Sequence, residues 1–171
     1  MSRRRTMPGA GSKPPPKGPN GENLCRWCLK KVSPPRRTFC SHDCVHEYSL
    51  RTSTSYARRC VRLRDKGICA KCGLDTYKIT KGLRKPLKGE TKTQWKNRVS
   101  AIRKKYRLGP KRVTAWDMDH ILAVAEGGGL CGLLGYQTLC TICHQVKSKE
   151  MMARRRESKK KKIKRRTKKA S

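Results

Sequence analysis

The chain has 171 residues, with 45 Lys or Arg against 11 Asp or Glu, so its formal net charge is +34. A charge of this size predicts a polyanionic partner, because binding to nucleic acid releases counterions. The polar, proline-rich start of the chain lacks the apolar core of a secretory signal, and no run reaches the ~20 apolar residues of a membrane span. We therefore expect no membrane partner and a reducing intracellular setting, which is nuclear if the protein is eukaryotic or virus-encoded.

The N-terminal part is expected to contain a disordered arm and a first metal site. Residues 1–22 are rich in Arg, Pro and Gly, a composition with little to bury. Residues 23–66 are expected to form a zinc knuckle and then a helix over 47–66 that Gly67 ends, with Tyr56, Cys60 and Leu63 on one face.

The knuckle carries a Cys-x2-Cys pair followed by a Cys-x3-Cys pair, and its four candidate ligands are Cys25, Cys28, Cys40 and Cys44. In a reduced chain with ten cysteines this spacing predicts a zinc site rather than disulfides. His42 or His46 could replace one thiolate, although four cysteines are the simpler set. The other two cysteines, Cys60 and Cys131, have no partner left and are expected to lie outside the metal sites.

A second domain is expected over residues 67–150, and it holds a second cysteine set. Two Cys-x2-Cys pairs supply its four members, which are Cys69, Cys72, Cys140 and Cys143. Four thiolates fill a tetrahedron, so this second zinc is predicted to be structural.

A basic helical insert is predicted over residues 76–112. Its main helix begins after Thr91, which can cap it, and ends before the Gly-Pro pair at 109–110. The apolar stripe of this helix comprises Trp95, Val99, Ile102 and Tyr106. A stripe of this kind favours a packed amphipathic helix over a platform on which bases stack.

The remaining segments predict a β-hairpin and a helix, with strands over Val113–Asp119 and Tyr136–Leu139. The helix starts near Thr141, carries His144 and is expected to run into the 150s. Residues 151–171 are expected to be a basic, disordered tail that binds phosphates.

These motifs resemble the HNH endonuclease family, whose core is a β-hairpin and a helix around one catalytic metal. The resemblance is carried by GICAKCG, MDHI and QTLCTICH, and with LCRWC and TFCSHDC it extends over about residues 24–147. Over this span the chain is similar to the C-terminal nuclease module of animal annealing helicases. The resemblance implies a small α+β domain stapled by zinc, with a ββα-metal core, an N-terminal four-cysteine zinc knuckle and basic disordered tails.

The resemblance also implies an activity, the metal-dependent hydrolysis of DNA phosphodiester bonds, with RNA possible and no small-molecule substrate. In this interpretation His120 is the general base, while Asp119 and His144 bind one catalytic Mg²⁺ or Mn²⁺ beside the two structural Zn²⁺ ions. Nucleic acid is expected to contact basic residues of the insert, the catalytic helix and the tail, namely Lys96, Arg103, Lys104, Arg107, Lys147, Arg154, Arg155, Arg156, Lys159 and Lys160.

One position departs from the family pattern. An Asn before the second strand normally braces the loop and orients the base, and here that position is Gly135. Gln137 could substitute through its longer amide, or activity could be reduced. The alternative function is therefore a non-catalytic DNA- or RNA-binding zinc protein on a degenerate HNH scaffold.

Overall fold

The computed structural model describes residues 14–169, apart from the side chains of residue 162 and residues 164–169. The described chain divides into two compact units. One contains the residues up to Cys60 together with Leu130–Leu134, and the other contains Val61–Gly129 and the residues from Gly135 onward. The division falls a few residues before the predicted boundary at 66.

The first unit begins with a segment that pairs with the knuckle. Lys17 and Asn23 form an antiparallel bridge, and the Leu24 N–H donates to the Pro16 carbonyl at 2.8 Å. Several residues between 16 and 22 thus have backbone partners, although the sequence predicted disorder for this segment. The rest of the predicted arm, residues 1–13, lies outside the described residues.

Two helices follow, α1 over His42–Thr52 and α2 over Thr54–Asp65. Ser41 caps α1 by accepting a hydrogen bond from a backbone N–H of its first turn, which is why helix begins earlier than predicted. The predicted single helix over 47–66 is wrong, because Ser53 is extended and separates the two. The predicted buried face of the second helix is also wrong at Leu63, which is 66% exposed.

The buried face of α2 lies one position further round the helix, at Ala57 and Val61, both 0% exposed. The helix ends in two left-handed residues, Lys66 and Gly67, as the glycine predicted. Its last turn belongs to the second unit, where the Asp65 carboxylate accepts the Thr138 N–H at 2.9 Å.

In the second unit, α3 spans Thr76–Arg84 and α4 spans Lys92–Tyr106. The predicted cap of α4 is confirmed, since Thr91 and Gln94 form a reciprocal capping box. The predicted apolar stripe is confirmed too. Val99 is buried, and the other three members pack on the same cluster, which also contains Leu83, Leu108 and Ala115.

The hairpin consists of β1 over Trp116–His120 and β2 over Tyr136–Cys140, paired antiparallel with Asp119 opposite Gln137. The first strand starts later than predicted. The Ala115 carbonyl accepts a hydrogen bond from the N–H of Thr141, the residue that follows β2, and so does not pair with β2 itself. Short 3₁₀ turns at Val124–Glu126 and Leu133–Gly135 lie in the connecting loop.

Helix α5 follows β2 without a linker and spans Thr141–Lys169. The sequence predicted that this helix would end in the 150s and that a disordered tail would follow. The segment instead stays helical, because Lys, Arg, Glu, Met and Ala are all good helix formers and no Gly or Pro interrupts them. Within the described residues, no helix is both long and apolar enough to cross a bilayer.

Gly67 generates a prediction about stability. Its φ is +76°, and a Cβ at this position would lie 2.9 Å from the Cβ of Tyr77. Gly89 has a similar φ of +78° but open space around it. We expect Gly89→Ala to destabilise the fold by about 1 kcal/mol from backbone strain alone. Gly67→Ala should cost about 1–3 kcal/mol more, because the new methyl group is also overpacked.

Urea unfolding of the zinc-loaded proteins measures both free energies. Equal losses in the two variants would contradict the close approach of Tyr77 to Gly67.

Candidate metal centres and active site

The first cysteine set converges on one point. The sulfur atoms of Cys25, Cys28, Cys40 and Cys44 all lie within 4.8 Å of one another. Cys28 and Cys40 are 3.5 Å apart, Cys40 and Cys44 are 3.4 Å apart, and Cys44 and Cys28 are 3.8 Å apart. Sulfurs at about 2.3 Å from a tetrahedral zinc would be about 3.8 Å apart. The set therefore has the dimensions to hold one tetrahedral ion.

The thiols of this set differ in how readily they ionise. Burial opposes ionisation of Cys25, but backbone N–H groups from the knuckle outweigh it and lower its pKa to about 6. Hydrogen bonds with the thiols of Cys44 and Cys28 raise the pKa of Cys40 to about 12. Neighbouring sulfurs thus suppress one another's ionisation unless a cation compensates their charge.

The second set, Cys69, Cys72, Cys140 and Cys143, also lies within 4.8 Å, with Cys72 and Cys140 3.8 Å apart. The Cys140 N–H donates to the Cys69 sulfur at 3.2 Å. Burial opposes ionisation of Cys69, yet such backbone donors lower its pKa to about 7. Burial raises the pKa of Cys143 far above its usual range. Both predicted cysteine sets are thus assembled and suited to a cation.

The histidines and cysteines outside these sets have other surroundings. His46 Nδ1 lies 2.8 Å from the Tyr56 hydroxyl, and His42 is exposed. In the described chain, Cys60 and Cys131 belong to neither set. The four-thiolate interpretation of the first site therefore needs no histidine.

Asp119 faces different partners with its two carboxylate oxygens. Oδ2 accepts hydrogen bonds from Gln137 Nε2 at 2.8 Å and from Lys147 Nζ at 2.5 Å. Oδ1 lies 3.8 Å from His144 Nε2. Two ligand atoms at about 2.1 Å from one ion are at most about 4.2 Å apart, so the separation fits a shared divalent cation. The two predicted ligands are thus brought together.

Asp117 belongs to the site but is not among the residues predicted from the sequence. Its Oδ2 lies 3.0 Å from His144 Nδ1, and its Oδ1 accepts from Arg112 Nη2 at 2.6 Å. A carboxylate at one ring nitrogen directs the lone pair of the other nitrogen towards a metal. The available signal was the spacing in WDMDH, because residues two apart in a strand point to the same face.

His120 ends β1 beside the aromatic ring of Tyr136. The two ring centroids are 4.6 Å apart and the planes are tilted by 49°. The His120 side chain is half-buried, and within residues 14–169 its ring nitrogens make no hydrogen bond. Both nitrogens therefore remain available to water.

The loop next to His120 is braced differently from the sequence prediction. The Gln137 amide donates to Asp119 and forms no hydrogen bond with His120, so it does not replace the family Asn in the way that its sequence position suggests. Lys147 Nζ instead donates to the carbonyls of His120 and, at 3.1 Å, Ile121. Gly135 accepts the Ile121 N–H at 2.9 Å, and its φ is not positive. A lysine from α5 thus holds the end of the strand.

The predicted nucleic-acid ligands fall into two groups. In the first group, two residues already form ion pairs within the protein and one is half-buried. Lys147 contacts Asp119, Arg154 pairs with Glu126 at 3.2 Å, and Arg103 is half-buried. The others are exposed on α4, at its end or on α5, namely Lys96, Lys104, Arg107, Arg155, Arg156, Lys159 and Lys160. Their contacts with nucleic acid stay a prediction.

The hairpin and α5, with Asp119 facing His144 of the helix, together form the ββα core of an HNH fold. No protein-family model matches the chain. The chain is 31% identical over 149 residues to the DNA annealing helicase and endonuclease ZRANB3 of Mus musculus, covering 79% of this chain and 14% of that protein. It is 28% identical over 142 residues to ZRANB3 of Homo sapiens, covering 75% of this chain and 13% of that protein.

Among solved structures, the human ZRANB3 HNH domain is 28% identical, with a TM-score of 0.47, and the match covers 64% of this chain and 97% of that one. The sequence identities over most of this chain confirm the resemblance predicted from its motifs. The chain spans only 14% of the length of the mouse relative.

Proposed function

We propose that this protein is a DNA endonuclease that hydrolyses phosphodiester bonds with one divalent cation. The observation that carries the proposal is the pair of ligand atoms, Asp119 Oδ1 and His144 Nε2, 3.8 Å apart, with His120 next to Asp119 in the chain. Similarity to proteins named DNA annealing helicase and endonuclease supports the same chemistry.

Asp119 and His144 are the residues that would hold Mg²⁺ or Mn²⁺. Their donor set, one carboxylate oxygen and one imidazole nitrogen, suits such an ion and leaves positions for phosphate and water. When bound, the ion supplies Lewis acidity and stabilises negative charge on the phosphate and on the leaving oxygen. Asp117 keeps His144 in the orientation that this role requires.

His120 would act as the general base. It accepts a proton from a water molecule whose oxygen attacks phosphorus, and the bond from phosphorus to the leaving 3′-oxygen breaks. The ring of Tyr136 and the ammonium of Lys147 support the ring and the carbonyl of His120. These contacts limit its motion, and catalysis depends strongly on such positioning.

Each four-cysteine set would hold a structural zinc, because a closed tetrahedron of thiolates leaves no position for substrate. The chain contains one Phe and three Trp, and its apolar clusters are small. Zinc binding would therefore supply part of the folding free energy.

Nucleic-acid binding would come from the net charge and the exposed basic side chains of α4 and α5. These groups recognise phosphates, so RNA is a second possible ligand. The basic run over 154–166 also supports nuclear localisation in a eukaryotic cell.

A second candidate function is nucleic-acid binding without cleavage. Gly135 in place of the family Asn favours it, and so does the Lys147 ammonium on Asp119, because that cation lies where it repels a metal. Substitution of His120, the proposed general base, distinguishes cleavage from binding alone.

Metal analysis tests the zinc assignment. We expect two zinc ions per chain and loss of helical circular dichroism on chelation, because both sets hold packed segments together. Cys28→Ser should reduce the content to about one ion. Cys60→Ser is the matched control and should keep both, since Cys60 lies in neither set. A folded wild type without zinc would contradict the assignment.

A plasmid-nicking assay tests cleavage. With Mg²⁺ or Mn²⁺ the wild type should cut, and His120→Ala should lower the rate by about 100-fold or more, the usual value of a general base. DNA affinity should change little, because it depends on Lys and Arg elsewhere. His46→Ala controls for loss of a histidine, since His46 pairs with Tyr56 in the first unit. If His120→Ala cuts as fast as wild type, the second candidate function is favoured.

Lys147→Met should affect rate and metal binding in opposite directions. Loss of the bonds to the His120 and Ile121 carbonyls should slow cleavage by about 10- to 100-fold through misplacement of the base. Loss of a cation beside Asp119 should tighten Mn²⁺ binding. Lys149→Met, an exposed position on the same helix, is the control. Weaker Mn²⁺ binding in Lys147→Met would show that this residue mainly supports the fold of the site.

A further inference from the structure

A cavity of about 700 Å³ lies in the second unit, between α3, α4 and the segment after α4. Its apolar lining includes Leu83, Val99 and Val113. Three basic residues also line it, namely Arg84, Lys96 and Arg103, and its lining contains no carboxylate. An apolar site with a basic lining matches a ligand that has a flat apolar part and a negative charge.

Two hydrogen-bond donors among the lining residues have no acceptor. Trp95 Nε1 and Arg103 Nε are both buried, and neither finds a hydrogen-bond partner within the described residues. Indole and guanidinium nitrogens of this kind only donate, so the missing group is an acceptor. Because neither atom is exposed, an acceptor in the open cavity does not reach them, and both residues line the cavity with their other atoms.

A neighbouring cavity of about 530 Å³ provides a contrast. It is also lined by basic residues, including Arg98. That guanidinium, however, is already bound to Glu90 at 2.7 Å and to the Gly82 carbonyl at 2.8 Å. The ion pair lowers the pKa of Glu90 to about 2. Arg98 therefore holds α4 against α3, whereas the three basic residues that line the first cavity form no ion pair within the described residues.

We propose that the cavity lined by Trp95 and Arg103 binds an unpaired nucleotide of the DNA substrate. The base would pack against Trp95 and the apolar lining, and its phosphate would lie at Arg84, Lys96 and Arg103. A paired base is stacked on both faces and cannot enter, so the cavity favours DNA with an unpaired nucleotide. This proposal rests on the proposed function for the identity of the substrate as DNA.

Binding without added divalent metal tests the proposal with the full chain and its zinc in place. Three duplexes of one sequence serve as probes, one fully paired, one with a single unpaired thymidine, and one with an unpaired abasic nucleotide at the same place. We expect about tenfold tighter binding to the thymidine bulge than to either other probe, as stacking of one base predicts. Equal affinity for the thymidine and abasic bulges would overturn the proposal.

Matched variants assign the preference to the cavity. Trp95→Leu should bind the thymidine and abasic probes equally, while Trp27→Leu, an aromatic substitution in the first unit, should keep the preference. Lys96→Glu and Lys92→Glu change the net charge equally on one exposed helix face, but only Lys96 lines the cavity. Only Lys96→Glu should therefore lose the preference, which keeps the test valid if Trp95→Leu does not fold. A preference retained in Lys96→Glu and in folded Trp95→Leu would overturn the assignment.

The plasmid-nicking assay separates this proposal from the cleavage proposal. Cutting that depends on His120 without any bulge preference would overturn the cavity proposal alone. A bulge preference without cutting would support the cavity and overturn cleavage.

Discussion

The second cysteine set joins parts of the chain that are far apart in sequence, since Cys72 and Cys140 are separated by 68 positions. One pair follows α2 and the other straddles the junction between β2 and α5. A cation held by these four sulfurs would therefore fix where α5 begins relative to the hairpin. Because His144 lies one residue after Cys143, the same constraint would act on the distance from His144 to Asp119. The proposed zinc would thus help to set the geometry of the candidate active site.

A series of polar contacts also orients the side chains of the candidate active site. Arg112 holds Asp117, Asp117 holds His144, and His144 faces the Oδ1 atom of Asp119. The other oxygen of Asp119 is occupied by Gln137 and Lys147. Each of the two carboxylates therefore has a cationic partner on one side and a nitrogen of the His144 imidazole on the other. Such an arrangement orients ligands before a cation arrives.

The sequence predicted the parts of the site whose signal is local. Ligand spacing within a knuckle and the Asp-His pair involve residues a few positions apart, and both cysteine sets were placed correctly. The roles of Asp117 and Lys147 were not predictable in this way, because their partners lie 27 or 28 positions away and depend on strand register. The length of α5 was missed for another reason. Helix propensity and repulsion between like charges oppose each other along the basic segment, and composition alone does not decide between them.

The continuity of α5 changes what its basic end can do. A disordered tail would be flexible, so it could bind a polyanion over a range of distances from the active site. A helix that runs unbroken from Thr141 to Lys169 instead holds its basic side at fixed distances from the candidate active site. The 25 residues from His144 to Lys169 correspond to about 38 Å at 1.5 Å per residue, roughly the length of 11 base pairs. A duplex that lies along this helix would be held in register with the candidate active site, so the far end of the helix would influence where along the strand the reacting phosphate falls.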